Sequence, residues 1–291
     1  MDIEIARKAV ASDKPEEVIA ALKYLGAEGA LTDLQAVLGR LKNENQAIQK
    51  TSISAATSLI KRNLIQHFND LKPDVRSKLS AIMESLHPRI IEEISKDIYC
   101  DDDNTRLRAV QILGLLRKNP KVRDVLADLV KDRNEKIRAT AINLLGKLVG
   151  PHEQQIILSL LSDSDKRVRA NTVEALESLG NKRLIPILLR FRKDPSNRIR
   201  GNVIKALYNL GNKDVAEDLE QMIGSDDDFM KASGLWVVSQ IGLHSAKIEE
   251  SAGQCMISDS EMVLINAIKA LKALKTPRSL GYIRYLAPRK V

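Results

Sequence analysis

The chain has 291 residues, of which 44% are hydrophobic and 29% charged, so an ordered core is available and disorder along the whole chain is excluded. Leu, Ile, Ala and Val dominate over the 3 Phe, 5 Tyr and 1 Trp, which favours helices packed on helices over β-sandwiches. The formal net charge of +8 favours anionic partners.

The two cysteines, Cys100 and Cys255, are too few for a disulfide framework and too far apart in the sequence for a zinc knuckle. A reducing compartment is therefore expected. The segment Met1–Glu4 is acidic where a signal peptide would be basic, and no stretch reaches the roughly 18 consecutive apolar residues of a membrane span. We expect a soluble, cytoplasmic protein without membrane insertion.

Residues 1–89 have helical patterns in which an internal repeat is faint. The run Val18–Gly26 is rich in Ala and Leu and ends in glycine, as the second helix of a helix pair would. The segment Asn43–Gln49 has the shape of a turn before a helix, and Asp70–Arg76 separates an aspartate from an arginine by six residues. We interpret this region as degenerate repeats, which are common at the ends of repeat arrays.

The repeat is regular in residues 90–243, where an aspartate is followed six residues later by an arginine that opens a helix-forming run. The four clearest copies of this turn are residues 102–108, 132–138, 163–169 and 194–200. Their arginines are 30, 31 and 31 residues apart. Such constant spacing indicates a tandem structural repeat.

Each copy predicts two helices joined by a short turn. After the turn, apolar residues recur with helical spacing, and two neighbouring copies agree within one position. These residues are Val168, Val173, Leu176 and Leu179 in one copy, and Ile199, Val203, Leu207 and Leu210 in the next. The turns are rich in Asp, Ser, Asn and Pro, which cap helices or initiate turns. The pairs Leu179–Gly180 and Leu210–Gly211 are typical of helix C-termini.

The repeat weakens again after residue 243. Residues 244–275 contain a further degenerate copy, and Thr276–Pro277 starts a final helix, over 276–291, that would close the C-terminal end. We count about nine helix pairs and predict a single all-α array that spans residues 1–291.

The turn from aspartate to arginine, followed by an Ala/Leu-rich helix and Leu-Gly, resembles the HEAT repeat, specifically its short HEAT-like or phycobilisome-lyase-type class. The resemblance is strong over about residues 90–243 and implies a right-handed α-solenoid. In that family the turn aspartate and the arginine form a ladder between adjacent repeats. The resemblance therefore implies a structural role for Asp132, Asp163, Asp194, Arg138, Arg169 and Arg200.

Basic side chains are concentrated in the middle repeats. Residues 101–213 contain 23 basic and 13 acidic side chains, whereas the flanking regions are close to neutral. Four successive repeats place a cation at one position of the first turn of the second helix, namely Arg106, Lys136, Arg167 and Arg198. A cation there opposes the helix dipole by about 0.3–1 kcal/mol, which favours a role in a concave binding groove. The alternative is pairing with nearby acids such as Asp103, Glu135 or Asp165.

The same helical spacing places further polar and aromatic residues in the predicted groove. Asn171 and Asn202 lie one turn beyond the cations, and Lys205 and Trp236 lie about a turn further along. Phe229 also falls at a groove position, in the same repeat unit as Trp236. Trp236 is the single tryptophan, and because a shift of one position would bury it, a place in the core is the favoured alternative.

Motifs for catalysis and cofactor binding are absent from the sequence, which has no Gly-rich phosphate loop, Cys-x-x-Cys pair or Gly-x-Ser-x-Gly elbow. Di-iron HEAT-like hydroxylases need repeated His-Glu pairs, and His152–Glu153 is the one such pair here. Bilin lyases and DNA glycosylases with this repeat rank low, since no motif of theirs can be placed. We predict that the protein is not an enzyme and binds no cofactor or metal. Asp101–Asp103 and Asp226–Asp228 are interpreted as helix caps rather than cation sites.

The leading hypothesis is a protein-interaction scaffold whose basic concave groove, from about Arg106 to Trp236, holds an acidic protein segment. The alternative is a nucleic-acid-binding module that grips phosphates with the same cations and Lys205. Stacked helices lie roughly 10 Å apart, which skips several phosphates along a strand and matches a duplex backbone loosely, so nucleic acid ranks second. The oligomeric state is left open.

Overall fold

The computed structural model describes residues 1–148 and 154–286, with side chains described as far as residue 284. Every regular element within these residues is helical, and no strand occurs among them. The predicted all-α class is therefore confirmed. The chain divides into two compact units, Met1–Thr140 and Ala141–Val291.

The helices that begin in the first unit are α1 (Ile3–Ala9), α2 (Pro15–Glu28), α3 (Leu34–Leu38), α4 (Gln46–His67), α5 (Pro73–Leu86), α6 (Ile90–Ile98), α7 (Asp103–Leu113), α8 (Lys121–Leu129) and α9 (Glu135–Leu145). Helices α2, α4 and α7 pack in that order, and the shorter α1, α3 and α6 pack on them respectively. Helix α5 departs from this pairing, because it packs on the 22-residue α4 and follows it with no short helix between them.

The helices of the second unit are α10 (Gln154–Ser159), α11 (Lys166–Ser178), α12 (Ile185–Leu189), α13 (Asn197–Leu210), α14 (Ala216–Ile223), α15 (Asp228–Ile241), α16 (Ala246–Gln254), α17 (Glu261–Leu274) and α18 (Pro277–Leu286). The long helices α11, α13, α15 and α17 stack in a row, and each short helix packs on the long helix that follows it. Helix α18 packs on α16 and α17, where the sequence predicts a closing helix; residues 287–291 of that prediction lie outside the described residues.

The repeated aspartate organises the turn between paired helices. Oδ1 of Asp132, of Asp163 and of Asp194 accepts a hydrogen bond from the backbone N–H two residues later, at 2.8 Å in each case. Arg138 and Arg169 donate from Nη1 to the carbonyl oxygen of the aspartate six residues earlier, at 2.9 and 2.7 Å. The aspartate and the arginine thus close their own turn, which gives the six-residue spacing a local cause.

Arg169 and Asp194 belong to the ladder that the family resemblance implies, and both lie in the second unit. Within the described part of the chain, no ion pair joins Arg169 to Asp194 of the next repeat. Arg200 instead donates from Nη2 to Gln221 Oε1 at 3.2 Å. Successive helix pairs are linked by other residues, since Arg192 Nε lies 2.5 Å from Oδ2 of the buried Asp218.

The first unit contains a pair of the same kind, in which Arg7 Nε lies 2.7 Å from Oδ1 of the buried Asp33. In both units the partners are 26 residues apart in the sequence. That spacing between an arginine and an aspartate was the available sequence signal for these links.

The predicted apolar stripes form the core of the second unit. Leu179 is half-buried, whereas the other members of the stripe on α11 are fully buried, each contributing about 1.5–3 kcal/mol. Gly180 and Gly211 have φ of 64° and 110°, so the predicted glycine C-termini are confirmed. The fully buried stripe residues of α11 and α13 are Val168, Val173, Leu176, Ile199, Val203 and Leu207.

Candidate functional site

The second unit has an open pocket of about 330 Å³ lined by residues of the stacked helices α11, α13, α15 and α17. Three of the lining residues, Arg198, Asn202 and Trp236, belong to the groove predicted from the sequence. The structure therefore brings part of that groove together in one site. The lining residues that define its chemistry are Glu174, Arg198, Asn202, Phe229, Trp236 and Met262.

The repeat places residues from equivalent positions around this pocket. One repeat after Arg198 in α13 comes Phe229 in α15, and the next repeat reaches Met262 in α17. Likewise, Lys205 in α13 is followed by Trp236 in α15. Because stacked repeats bring equivalent residues side by side, the predicted row of cations continues as a row of apolar side chains. The pocket lies where this row of equivalent positions passes from Arg198 to Phe229 and Met262.

The apolar wall includes two side chains that are unusually exposed for their size. Phe229 is 63% exposed, Met262 is 36% exposed, and Trp236 is half-buried. The core position that the sequence favoured for Trp236 is thus wrong. Its neighbours Leu235 and Val237 occupy the buried face of α15 and leave the indole in the pocket wall.

Arg198 is held at the pocket by polar side chains of the preceding repeat. Its Nη2 donates to Asn171 Oδ1 at 2.8 Å and lies 3.5 Å from Glu174 Oε1. Asn202, which is buried, donates to the same Glu174 oxygen at 2.7 Å and to the Ala170 carbonyl oxygen at 3.1 Å. The Arg198 side chain is still 53% exposed, and its contacts within the described residues use Nη2 alone. The guanidinium is therefore oriented while Nε and Nη1 keep their capacity to donate.

Lys205 lies deeper than Arg198 and is compensated by an acid. Its Nζ is 3.1 Å from Glu177 Oε2 and 5.4 Å from the centroid of the Trp236 ring. A cation over an indole at this distance contributes about 0.5–1 kcal/mol. Lys205 thus helps to fix the indole in the wall of the pocket.

Arg106, the first of the predicted groove cations, is buried in the first unit. It is 5% exposed, forms an ion pair with Asp132, and donates from Nη1 to Asp103 Oδ1 at 2.9 Å. Its Nε donates to the carbonyl oxygen of Ile98 at 2.8 Å. This environment agrees with the alternative reading of the basic row, in which the cations pair with acids of nearby turns.

Of the two remaining predicted cations, Arg167 pairs with an acid and Lys136 is exposed. Arg167 Nη2 lies 2.9 Å from Asp165 Oδ2, and this hydrogen-bonded arginine is the main reason that the pKa of Asp165 falls to about 2. Lys136, in the first unit, is exposed, and no acidic side chain among the described residues contacts its ammonium. Of the four predicted cations, Arg198 is the one that reaches the pocket.

Sequence reasoning missed several residues that shape this site. Asn197 Nδ2 donates to Ser233 Oγ at 2.8 Å and to the Phe229 carbonyl oxygen at 3.2 Å, which ties α13 to α15 beside the pocket. Asn266 Nδ2 donates to the Met262 carbonyl oxygen at 2.9 Å. Met262 could have been found by counting two repeats on from Arg198.

The acidic runs serve as helix caps, as predicted. Asp102 Oδ2 accepts from the Thr105 backbone N–H at 2.7 Å, and Asp227 Oδ1 accepts from that of Phe229 at 3.0 Å. Over residues 1–148 and 154–286, no group of three or more His, Cys, Asp and Glu side chains is arranged to hold a metal ion. The pair His152–Glu153 lies outside these residues.

None of the helices in the described ranges combines the length and the apolar character needed to cross a membrane.

Comparison with solved structures shows similarity of fold at low sequence identity. A chain of the complex of CpcE and CpcF of phycocyanin lyase from Nostoc sp. PCC7120 is 17% identical, with a TM-score of 0.46 over 99% of this chain and 94% of that chain. Kap121p is 12% identical, with a TM-score of 0.50 over 99% of this chain, which spans 39% of that protein. Escherichia coli YibA is 16% identical, with a TM-score of 0.42 over 84% of this chain and 93% of that chain.

No curated protein matches the sequence significantly. The family model for HEAT repeats matches residues 88–158 and 154–239, which together make up more than half of the chain. The stacked helix pairs agree with that match and confirm the predicted helical solenoid, while the count of about nine pairs stays a prediction. This protein belongs to the HEAT-repeat family.

Proposed function

We propose that this HEAT-repeat protein is a protein-interaction scaffold whose second unit binds an acidic protein segment at the pocket. Helical repeat folds of this kind are typical of such scaffolds, since stacked repeats present extended binding surfaces. The observation that carries the proposal is Arg198, which is oriented and half-exposed beside an apolar pocket.

The geometry of Arg198 suits a carboxylate. Its described contacts occupy Nη2, so Nε and Nη1 can donate to the two oxygens of an aspartate or glutamate side chain. Because Asn171 already orients the guanidinium, less side-chain entropy is lost when a partner binds. An acidic residue of a partner segment therefore has a prepared partner at this site.

Three of the four other predicted cations contact acids, which favours protein over nucleic acid. Arg106 is buried between acids, Arg167 pairs with Asp165, and Lys205 pairs with Glu177. A phosphate backbone is gripped by many accessible cations, whereas an acidic segment with an apolar residue needs one cation beside an apolar surface. Nucleic acid therefore stays the second candidate and becomes an outcome of the test.

The role proposed here is binding without catalysis or a cofactor. We place the protein in the cytoplasm. The free thiols of Cys100 and Cys255 support this location, because disulfides are rare there.

Selection from a phage-displayed library of random 16-residue peptides tests this proposal without a known partner. Wild-type protein should enrich acidic sequences, and Arg198→Glu should lose at least tenfold in affinity for them. Lys193→Glu makes the same charge change at an exposed residue of the second unit outside the pocket, and it should bind the selected peptides as the wild type does.

Enriched peptides without acidic residues, or equal binding by Arg198→Glu, would contradict the proposal. Fluorescence anisotropy with labelled random duplex and single-stranded DNA, at 50 and 200 mM salt, tests the alternative. Tight binding to DNA that collapses at the higher salt, and in Arg167→Glu with Arg198→Glu, would instead favour a nucleic-acid-binding protein.

A further inference from the structure

The pocket in the second unit is built to select more than an acidic residue in its partner. Its exposed wall is apolar, formed by Phe229, Trp236 and Met262, with the buried Ala232 also in its lining. An exposed aromatic ring beside a half-buried indole in a concavity is typical of a binding site rather than of an inert surface. The apolar wall therefore calls for an apolar group in the occupant.

The volume of the pocket limits the size of that group. Ligand pockets for whole small molecules span about 300–1,000 Å³. At about 330 Å³ this pocket lies at the lower end of that range, which suits one large side chain better than a cofactor. Interface hot spots commonly consist of such an anchor, in which a single aromatic or aliphatic side chain fills a pocket of the partner.

The amide groups around the pocket are already occupied by neighbours within the protein. Asn197 donates to Ser233 and to the Phe229 carbonyl oxygen, Asn202 donates to Glu174, and Asn266 donates to the backbone of its own helix. Among the described lining residues, Arg198 is the one that combines a positive charge with nitrogen atoms not used in these contacts. The pocket thus offers one charged donor beside one apolar cavity, and the Glu174 carboxylate in its lining already accepts from Arg198 and Asn202.

We infer that the partner segment presents a two-part element, in which one large apolar side chain fills the pocket and an adjacent carboxylate pairs with Arg198. This inference rests on the proposed function and specifies the partner at the same site. The apolar anchor supplies most of the contact area, and the carboxylate selects the orientation.

Trp236 provides a local reporter because it is the only tryptophan of the chain, so the protein has a single indole N–H resonance. We would titrate three blocked dipeptides into ¹⁵N-labelled full-length protein and follow that resonance. N-acetyl-aspartyl-phenylalaninamide carries both parts of the element. N-acetyl-asparaginyl-phenylalaninamide lacks the charge, and N-acetyl-aspartyl-alaninamide lacks the anchor.

The aspartyl-phenylalanine probe should shift the indole resonance to saturation at millimolar concentration. The asparaginyl probe should bind at least fivefold more weakly, and the alanine probe should bind at least tenfold more weakly. Phe229→Ala should weaken the first probe at least tenfold, and this variant should fold because the ring it removes is largely exposed. Arg198→Ala should keep phenylalanine binding but lose the preference for aspartate over asparagine, and Lys193→Ala should change nothing.

An indole resonance that ignores all three probes, or responds equally to the alanine probe, would overturn the inference. If acidic peptides are nevertheless selected through Arg198, the proposed function stands, and only the proposal that an apolar side chain fills the pocket is refuted. If the probes bind as expected but no acidic peptide is selected, the pocket chemistry is supported and the acidic protein partner is the part that fails.

Discussion

Arg106 and Lys136 occupy the same position in successive repeats, yet the first is buried between acids and the second is exposed. Arg106→Ala would leave the largely buried Asp132 without its partner, so we expect the free energy of unfolding to fall by about 3 kcal/mol. Lys136→Ala is the matched control and should change it by less than about 0.5 kcal/mol. Urea unfolding followed by circular dichroism would measure both; equal effects would refute a structural role for Arg106.

The carboxyl group of Asp165 makes the stability of the folded protein depend on pH. Its pKa is lowered from 3.8 to about 2, mainly by the hydrogen bond from Arg167. A carboxyl whose pKa is lowered in the folded state stabilises that state above its unfolded pKa, and the contribution is lost as the pH falls through the folded pKa. The stabilisation is therefore complete above about pH 4 and disappears towards pH 2.

Asp165→Asn removes the charge and keeps a side-chain oxygen for capping α11. We expect it to lower the free energy of unfolding by up to about 1 kcal/mol at pH 7, because the partner arginine is partly exposed. The difference from wild type should shrink between pH 4 and pH 2 in urea titrations. A difference that stays constant over this range would show that the charge of Asp165 is not its cause.

At the scale of a helix, Gly242 at the C-terminus of α15 allows the cost of a left-handed backbone conformation to be measured by itself. Gly242 has φ 63° and ψ 22°, and a Cβ added there would meet nothing within 4 Å. Gly242→Ala should therefore cost about 1 kcal/mol through the left-handed conformation alone. Gly242→Asn should cost less, since asparagine tolerates this conformation. Melting temperatures of the two variants would test the order, and an alanine variant as stable as wild type would contradict it.

Local sequence features predicted the helices of the middle repeats because their causes are local. A turn aspartate bonds to the backbone two residues later, and an arginine closes the turn six residues after it. The link between Arg192 and Asp218 was missed because its partners belong to different helix pairs. The length of α4 and the presence of α5 were not predicted from the sequence either, because the repeat is faint there and packing decides where these helices end.

The candidate site was predicted only in part, because the sequence pattern of one helix gives local information. Helical spacing assigns Arg198, Asn202 and Trp236 to one face, and the structure places all three at the pocket. Spacing alone does not separate Arg198 from Arg106, because the difference lies in which acids of neighbouring turns reach each guanidinium. Burial of a charge depends on such contacts between repeats, and these are not encoded in the periodicity of one helix.

On the scale of the whole molecule, each helix pair of a repeat array contacts only its neighbours, so a local disturbance should spread a short way. Gly253 in α16 provides a test, because a Cβ added there would lie 2.5 Å from Cζ of Tyr282 in α18. Gly253→Ala must therefore displace the ring and weaken the packing of α18. We expect faster amide hydrogen exchange in α16, α17 and α18 and unchanged exchange in α11.

Gly281→Ala is the control for this experiment, since a Cβ at that position of α18 meets nothing within 4 Å and alanine favours the helix. It should leave exchange in α16 and α17 unchanged or slower. If Gly253→Ala instead accelerated exchange equally in α11, the second unit would open as one cooperative block, and energetic coupling would extend beyond neighbouring repeats. Because α11 and α13 hold Arg198 in place, the expected gradient also means that loosening α18 leaves the orientation of this arginine intact.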